Sequence, residues 1–273
     1  MPTFETPGGV AFRITAPAGA VTVETWNEPR TEVEVTPLRG DEASGQLAAE
    51  TRIEATERGG RHEIVVKVPK REGRFGFLSR SPELEVAIRC PEGADLELTT
   101  HSSDLEARGA MGEVTVKSAS GDVVLGDARA LSFTTASGDL AAGAITGPVA
   151  AKGASGDVEV GSIGGPATVN TVSGDVRIGP TDDTIAVNTV SGDVDLEAAG
   201  AAVRVTAVSG DVNVATRPGL ALWIDAQSVS GTMHSDLDVG DLPTADAGDH
   251  PVELRVRTVS GDVRISRAAS RVS

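Results

Sequence analysis

Tyrosine is absent from this chain, and two tryptophans and five phenylalanines bring the aromatic share to only 3%. Trp26 and Trp223 are far apart, so an aromatic platform for sugar rings has little to be built from. There is one cysteine, Cys90, which excludes an internal disulfide, and no CxxC or Cys/His cluster points to a metal. The fold therefore needs no oxidising compartment. No apolar run approaches the ~20 residues needed to span a bilayer. The opening MPTFETPGGVAFRITAP has neither a basic stretch nor an apolar core of the secretory kind, so the expected location is cytoplasmic. Basic residues are outnumbered, 24 Lys and Arg against 40 Asp and Glu, for a formal charge of −16. Such a surface repels nucleic acid and anionic membranes. Long windows with apolar residues at three and four are also missing, which leaves little room for helices.

What the chain has in abundance is alternation and glycine. Apolar residues recur at every second position, as in Ile64/Val66/Val68 and Leu84/Val86/Ile88, and there are 32 glycines. This is the pattern of an all-β protein. The stretch TVSGDVRI at 171–178 returns as TVSGDVDL at 189–196. Aligned on the serine, the copies fall at Ser102, Ser120, Ser137, Ser155, Ser173, Ser191, Ser209, Ser230 and Ser260, and five of the eight steps are 18 residues. A constant period is the mark of stacked repeats.

The columns of this alignment describe one coil. Six and four residues before the serine stand apolar pairs such as Ile185/Val187, Val203/Val205, Ile224/Ala226 and Leu254/Val256. Two before stand small or hydroxylated residues, among them Thr171, Thr189 and Thr258. After the serine comes Gly121, Gly138, Gly156, Gly174, Gly192, Gly210, Gly231 or Gly261; Ser103 takes that place in the first copy. Glycine adopts positive φ without strain, so a corner is expected here, with Gly174, Gly192 and Gly210 at positive φ. Beyond it the inward pattern resumes, as in Val176/Ile178, Val194/Leu196, Val212/Val214 and Val263/Ile265. One such unit cannot bury its own apolar face, whereas stacked units can, with coils about 4.8 Å apart. The expected fold is a β-solenoid of about nine 18-residue coils over 95–273. Residues 1–94 should form less regular strand-rich coils that cap it, and Val21–Thr25 reads like a first strand of the repeat.

The SGDV copies at this spacing, the strand-rich N-terminal third and the closing ELRVRTVSGDVRI resemble the bacterial β-strand-repeat family labelled "putative adhesin", a domain of unknown function. The resemblance implies a right-handed β-solenoid without known catalytic residues. A more distant, architectural likeness is to bactofilins, cytoskeletal β-solenoids that polymerise end to end.

The Asp column, Asp104, Asp122, Asp139, Asp157, Asp175, Asp193, Asp211 and Asp262, has two readings. It could line a Ca²⁺-binding edge, or each carboxylate could accept corner N–H groups. Stacked carboxylates repel by about 1 kcal/mol per neighbour even in water, and backbone donors offset that at least cost, so no tight Ca²⁺ site is expected. His62, His101, His234 and His250 show no ligand spacing, and His101 beside Ser102 and Asp104 does not make a triad because neighbours on a strand face opposite ways. No catalytic residue and no cofactor site is assigned. Immediately before the serine stand Val172, Val190, Val208, Val229 and Val259. Alternation places them outside, where an apolar stripe marks an interface; a bulge at the corner would instead turn them inward. Phe75, Phe77 and Leu78 form a second candidate patch. The functional expectation is a non-enzymatic scaffold or adhesin-like interaction protein, with a bactofilin-like self-assembling protein and a carbohydrate-acting solenoid enzyme as rivals. Its partner is a protein or a second copy, docked through an open C-terminal end at the Leu254–Ile265 repeat.

Overall fold

The structure is a computed structural model; it describes residues 2–70, 82–237 and 251–268. The fold is an all-β solenoid whose coils stack through parallel, in-register strands. The chain forms two compact units, Met1–Ala142 and Gly143–Ser273. The division at residue 94 rests on repeat regularity rather than compactness, and it stays a proposal about where the SGD repeat begins.

Unit 1 contains β1 (Thr3–Glu5), β2 (Val10–Trp26), β3 (Arg30–Pro37), α1 (Glu42–Glu50), β4 (Arg52–Arg58), β5 (Arg61–Lys67), β6 (Leu84–Pro91), β7 (Asp95–Lys117) and β8 (Val123–Thr134), and the boundary falls within β9 (Leu140–Ile145). Its chain order is not its stacking order. The long strand β2 lies inside the stack: Phe12 pairs with both Ile64 of β5 and Leu96 of β7, and Val21 with both Val86 of β6 and Leu105 of β7. The expectation for Val21–Thr25 needs correcting. These residues lie in the row after the corner, and Phe12 and Ile14 occupy the first-strand row beside Leu96 and Leu98. The reason is a corner that alternation alone does not show. Ala18 and Gly19 sit beside Ser102 and Ser103, and Gly19 has a φ of 124°. AGAV at 18–21 is thus a worn copy of SGDV.

The outer side of β5 and β6 is covered by antiparallel strands, β4 on β5 and β3 on β6, with β1 antiparallel on β3. Helix α1 packs on β3 and β6 and buries Leu47. It is an exception to the all-strand reading. Asp41 caps it, its Oδ1 accepting the Ser44 N–H at 2.7 Å. Two turns are too short to show a helical period, so only the cap could have announced it.

Unit 2 holds the regular repeat: β10 (Val149–Lys152), β11 (Val158–Ile163), β12 (Ala167–Asn170), β13 (Val176–Ile178), β14 (Ile185–Asn188), β15 (Val194–Ala199), β16 (Val203–Thr206), β17 (Val212–Thr216), β18 (Leu222–Ser230), β19 (Met233–Ser235), β20 (Val252–Ser260) and β21 (Val263–Arg267). Even-numbered strands from β10 to β16 form the row before the corner and odd-numbered strands from β11 to β17 the row after it. Successive coils are offset by 18 residues, as in Val169↔Val187↔Val205. Those side chains are fully buried and form the core between the rows.

The end of unit 2 departs from chain order as well. β16 pairs with β20, and β20 pairs with β18; β17 pairs with β21, and β21 with β19. The coil 252–267 is therefore inserted between the coil 203–216 and the coil 222–235. The expected open end at Leu254–Ile265 is corrected accordingly: that repeat is interior, and Leu222–Ser235 is the outermost coil of the described residues. Apolar content explains the order. Leu254, Val256, Val263 and Ile265 are all buried, whereas the outer coil offers Ala226 and Ser235 where this coil has Val256 and Ile265.

Candidate functional site

At each corner of unit 2 two constraints meet on one glycine. Gly174, Gly192 and Gly210 have φ of 124°, 133° and 122°. A Cβ on Gly192 would be driven into the carbonyl of Gly174, and one on Gly210 into that of Gly192. The corners also pair: the Gly192 N–H donates to the Ser209 carbonyl at 3.2 Å, and the Ser191 N–H to the Val172 carbonyl at 2.8 Å. Gly156, Gly231 and Gly261 share the positive φ. Gly121 and Gly138 in unit 1 do not, and they are needed for close backbone approach instead. Under three of these corners a buried threonine hydroxyl donates to the serine carbonyl two residues on: Thr171 to Ser173 at 3.2 Å, Thr189 to Ser191 at 3.4 Å and Thr258 to Ser260 at 3.3 Å.

The aspartates form a ladder. The N–H of Asp175 donates to Asp157 Oδ1, that of Asp193 to Asp175, that of Asp211 to Asp193 and that of Asp262 to Asp211, at 2.8–2.9 Å. Asp122 and Asp139 continue the pattern in unit 1 by donating to Asp104 and Asp122. Each carboxylate thus ties its coil to the next. Among the described residues no group of three or more His, Cys, Asp or Glu converges on a metal position. A calorimetric titration with Ca²⁺ is expected to show no micromolar binding, and several such sites would overturn the reading of the ladder as backbone ties.

At the outer coil the ladder ends on Asp262, whose Oδ1 accepts the Thr232 N–H at 2.8 Å. That N–H, with the Thr232 hydroxyl, holds the Asp262 carboxyl below its ordinary value of 3.8. A depressed carboxylate contributes stability that is present above the unfolded value and lost as pH falls through the folded one. Acidification below about pH 4 should therefore loosen Thr232–Ser235, first seen as a lower amide protection factor at Thr232, the observed rate being taken against the intrinsic rate at the same pH. An unchanged protection factor at Thr232 would reject this tie.

The valine column faces solvent. Val172, Val190, Val208 and Val259 are each 46–50% exposed, and Val229, on the outer coil, is 82% exposed. Parallel bridges Ser173↔Ser191↔Ser209↔Ser260 hold their neighbours in register, so the valines form one apolar stripe with a step of about 4.8 Å. Phe75, Phe77 and Leu78 lie outside the described residues. His101, Ser102 and Asp104 follow one another along β7, and no hydrogen bond joins their side chains among the described residues. Cys90 is buried in β6, and burial pushes its thiol up to about 12. A folded sample is expected to leave it unreactive to a thiol reagent until denaturant is added; immediate labelling would contradict its burial.

The outermost coil of the described residues is not the repeat that the sequence placed there. Ile224 is 38% exposed and Met233 57% exposed, although their column neighbours Leu254 and Val263 are buried. The signal was available in Ala226 and Ser235, which stand where the inserted coil has Val256 and Ile265. Trp223, on the outward face, lies under the Arg255 guanidinium, 5.8 Å from the ring centre. Asp225 is held by Arg255 and Arg257 of β20 at 3.5 and 3.8 Å.

Corner glycines, a backbone-tied Asp ladder and two parallel strand rows define a repeat β-solenoid. The chain belongs to the Toastrack DUF4097 family, whose profile matches residues 27–266. It is similar to a "putative adhesin" from Parabacteroides distasonis (11% identity, 97% of this chain and 95% of that one, TM-score 0.48). It is also similar to a "putative adhesin" from Bacteroides fragilis (10%, 97% and 95%, TM-score 0.45) and a "putative cell adhesion protein" from Clostridium sporogenes (10%, 97% and 98%, TM-score 0.26). No curated protein matches the chain in sequence. No helix among the described residues is long and apolar enough to cross a membrane.

Proposed function

We propose that this Toastrack protein is a non-enzymatic interaction scaffold that self-associates through the outer coil of unit 2. The observation that carries this reading is the exposure of Ile224 and Met233, whose column neighbours are buried. A stack that ends without a cover leaves apolar surface and unpaired backbone groups for another chain. The outer side of β5 and β6 in unit 1 is, by contrast, covered by antiparallel strands and a helix. Pairing through the outer coil favours a closed dimer over a filament, because like ends pair once and stop. Light scattering across a concentration series should show a monomer–dimer equilibrium. Long filaments would favour a bactofilin-like polymer, and a monomer at all concentrations would remove the reading.

The valine stripe is the second surface of the same scaffold. It runs beside the Asp ladder, so the partner that fits it is a protein with an apolar strip edged by Lys or Arg. The neutral dye Nile red should bind the folded protein and bind the double variant Val190→Asp/Val208→Asp more weakly. Equal dye binding by both proteins would remove the stripe as a contact surface. The charge of −16 argues against a nucleic-acid partner, and the lone buried thiol fits a cytoplasmic location.

A further inference from the structure

Four strands of the described residues, β1 and β4 in unit 1 and β18 and β19 in unit 2, have a pairing partner on one side alone, and three of them are blunted. β1 and β19 are three residues long, and β4 carries Arg52, Glu54 and Glu57. Short strands and charged edges are the usual protection against unwanted pairing. β18 has neither. Its nine residues, LWIDAQSVS, include one charge, Asp225, and that carboxylate is already held by Arg255 and Arg257. One side of β18 pairs with β20, and among the described residues no strand pairs with the other.

We infer that β18 docks on β18 of a second copy, antiparallel and centred on Ala226. This deepens the proposed self-association and rests on it. Two copies of one strand related by a two-fold axis must run antiparallel, and residues directly opposite must share a face. Registers that place an inward residue opposite an outward one are therefore excluded. Centring on Ala226 pairs every residue of the strand. Trp223 lies opposite Val229 of the second copy, Asp225 opposite Gln227, Ile224 opposite Ser228, and Ala226 opposite itself. The two large exposed apolar side chains on the outward face thus meet each other, and they do so twice by symmetry. Asp225 faces an amide, which can donate to it as Gln227 of its own strand does at 3.1 Å. Moving the centre to Asp225 would set two carboxylates opposite each other. Moving it to Gln227 would set Asp225 against Val229 and leave Leu222 and Trp223 without partners. The strand's own sequence thus selects one register.

The test is a cysteine scan along β18, for which the buried Cys90 gives no background. In the full-length protein, Ala226→Cys should form an intermolecular disulfide under mild oxidation. Asp225→Cys and Gln227→Cys should not, because each would lie diagonally across from itself at about 7–8 Å. Val229→Arg, at an exposed position, should keep the melting temperature and raise the dimer dissociation constant by about tenfold, since it replaces both Trp–Val pairs. A dimer that cross-links at 225 or 227 but not at 226, or that ignores Val229→Arg, overturns this register and leaves self-association standing. A protein that stays monomeric at every concentration removes both.

Discussion

Gly192→Val should unfold the repeat at a markedly lower temperature than the parent chain. A β-branched residue at a φ of 133° is strained, and strain of that kind costs about 1–3 kcal/mol. Its Cβ would also meet the Gly174 carbonyl, which belongs to the neighbouring coil, where the Gly174 N–H is bonded to the Ser191 carbonyl at 3.2 Å. Relief requires two coils to move apart, and the Asp175–Asp193 tie opposes that movement. The combined cost is about 3 kcal/mol, or a melting temperature lower by roughly 6–12 °C for a chain of this size. Gly192→Ala should cost less than Val but more than zero, because the Cβ clash remains when the β-branching is removed. Thermal unfolding followed by circular dichroism measures both. A melting temperature unchanged in Gly192→Val would mean that the corner does not need glycine.

The middle of the stack was legible in the sequence because parallel in-register pairing demands the same kind of residue at the same place in each coil. Val169, Val187 and Val205 pair with one another, so they had to be alike, and the likeness is visible as a period. The ends obey a weaker rule. An 18-residue step says that two coils have the same shape, not that they are adjacent. Nothing in VRTVSGDVRI at 256–265 says that Val256 will sit between Val205 and Ala226, and only the relative apolarity of the two coils bears on it. The same holds for β2, whose worn corner at Ala18–Gly19 lacks both Ser and Asp. Without an Asp there is no carboxylate tie at this corner, and the motif by which the other corners are recognised is missing with it. Helix α1 was hidden for another reason, since its information lies in one cap at Asp41 and one buried apolar side chain, Leu47. The exposure of the valine column was half legible. Alternation along the strand pointed outward, but whether the corner bulged depended on backbone geometry that periodicity does not encode.

Val256→Asp and Ala226→Asp stand in the same column of the repeat, and the order of the coils decides which one is damaging. In the observed order Val256 lies between Val205 and Ala226, fully buried, while Ala226 is half-buried on the outer coil. A carboxylate at 256 has no hydrogen-bond donor in that row to pair with, and burying an unpaired charge costs several kcal/mol, about 4 or more here. The coil 252–267 would leave its slot, and the outer coil, which pairs only with it in the described residues, would be released too. Hydrogen exchange should then accelerate through Leu222–Ser235 as well as Val252–Arg267, while the coils before Val205 keep most of their protection because each depends mainly on its neighbours. A carboxylate at 226 can turn toward solvent at the open end, so Ala226→Asp should cost about 1 kcal/mol or less in dilute, monomeric protein. If the coils instead stacked in chain order, Ala226 would be interior and Val256 outermost, and the two effects would exchange places. Comparable exchange rates in both variants, or greater damage from Ala226→Asp, would reject the inserted coil and with it the assignment of β18 as the docking edge.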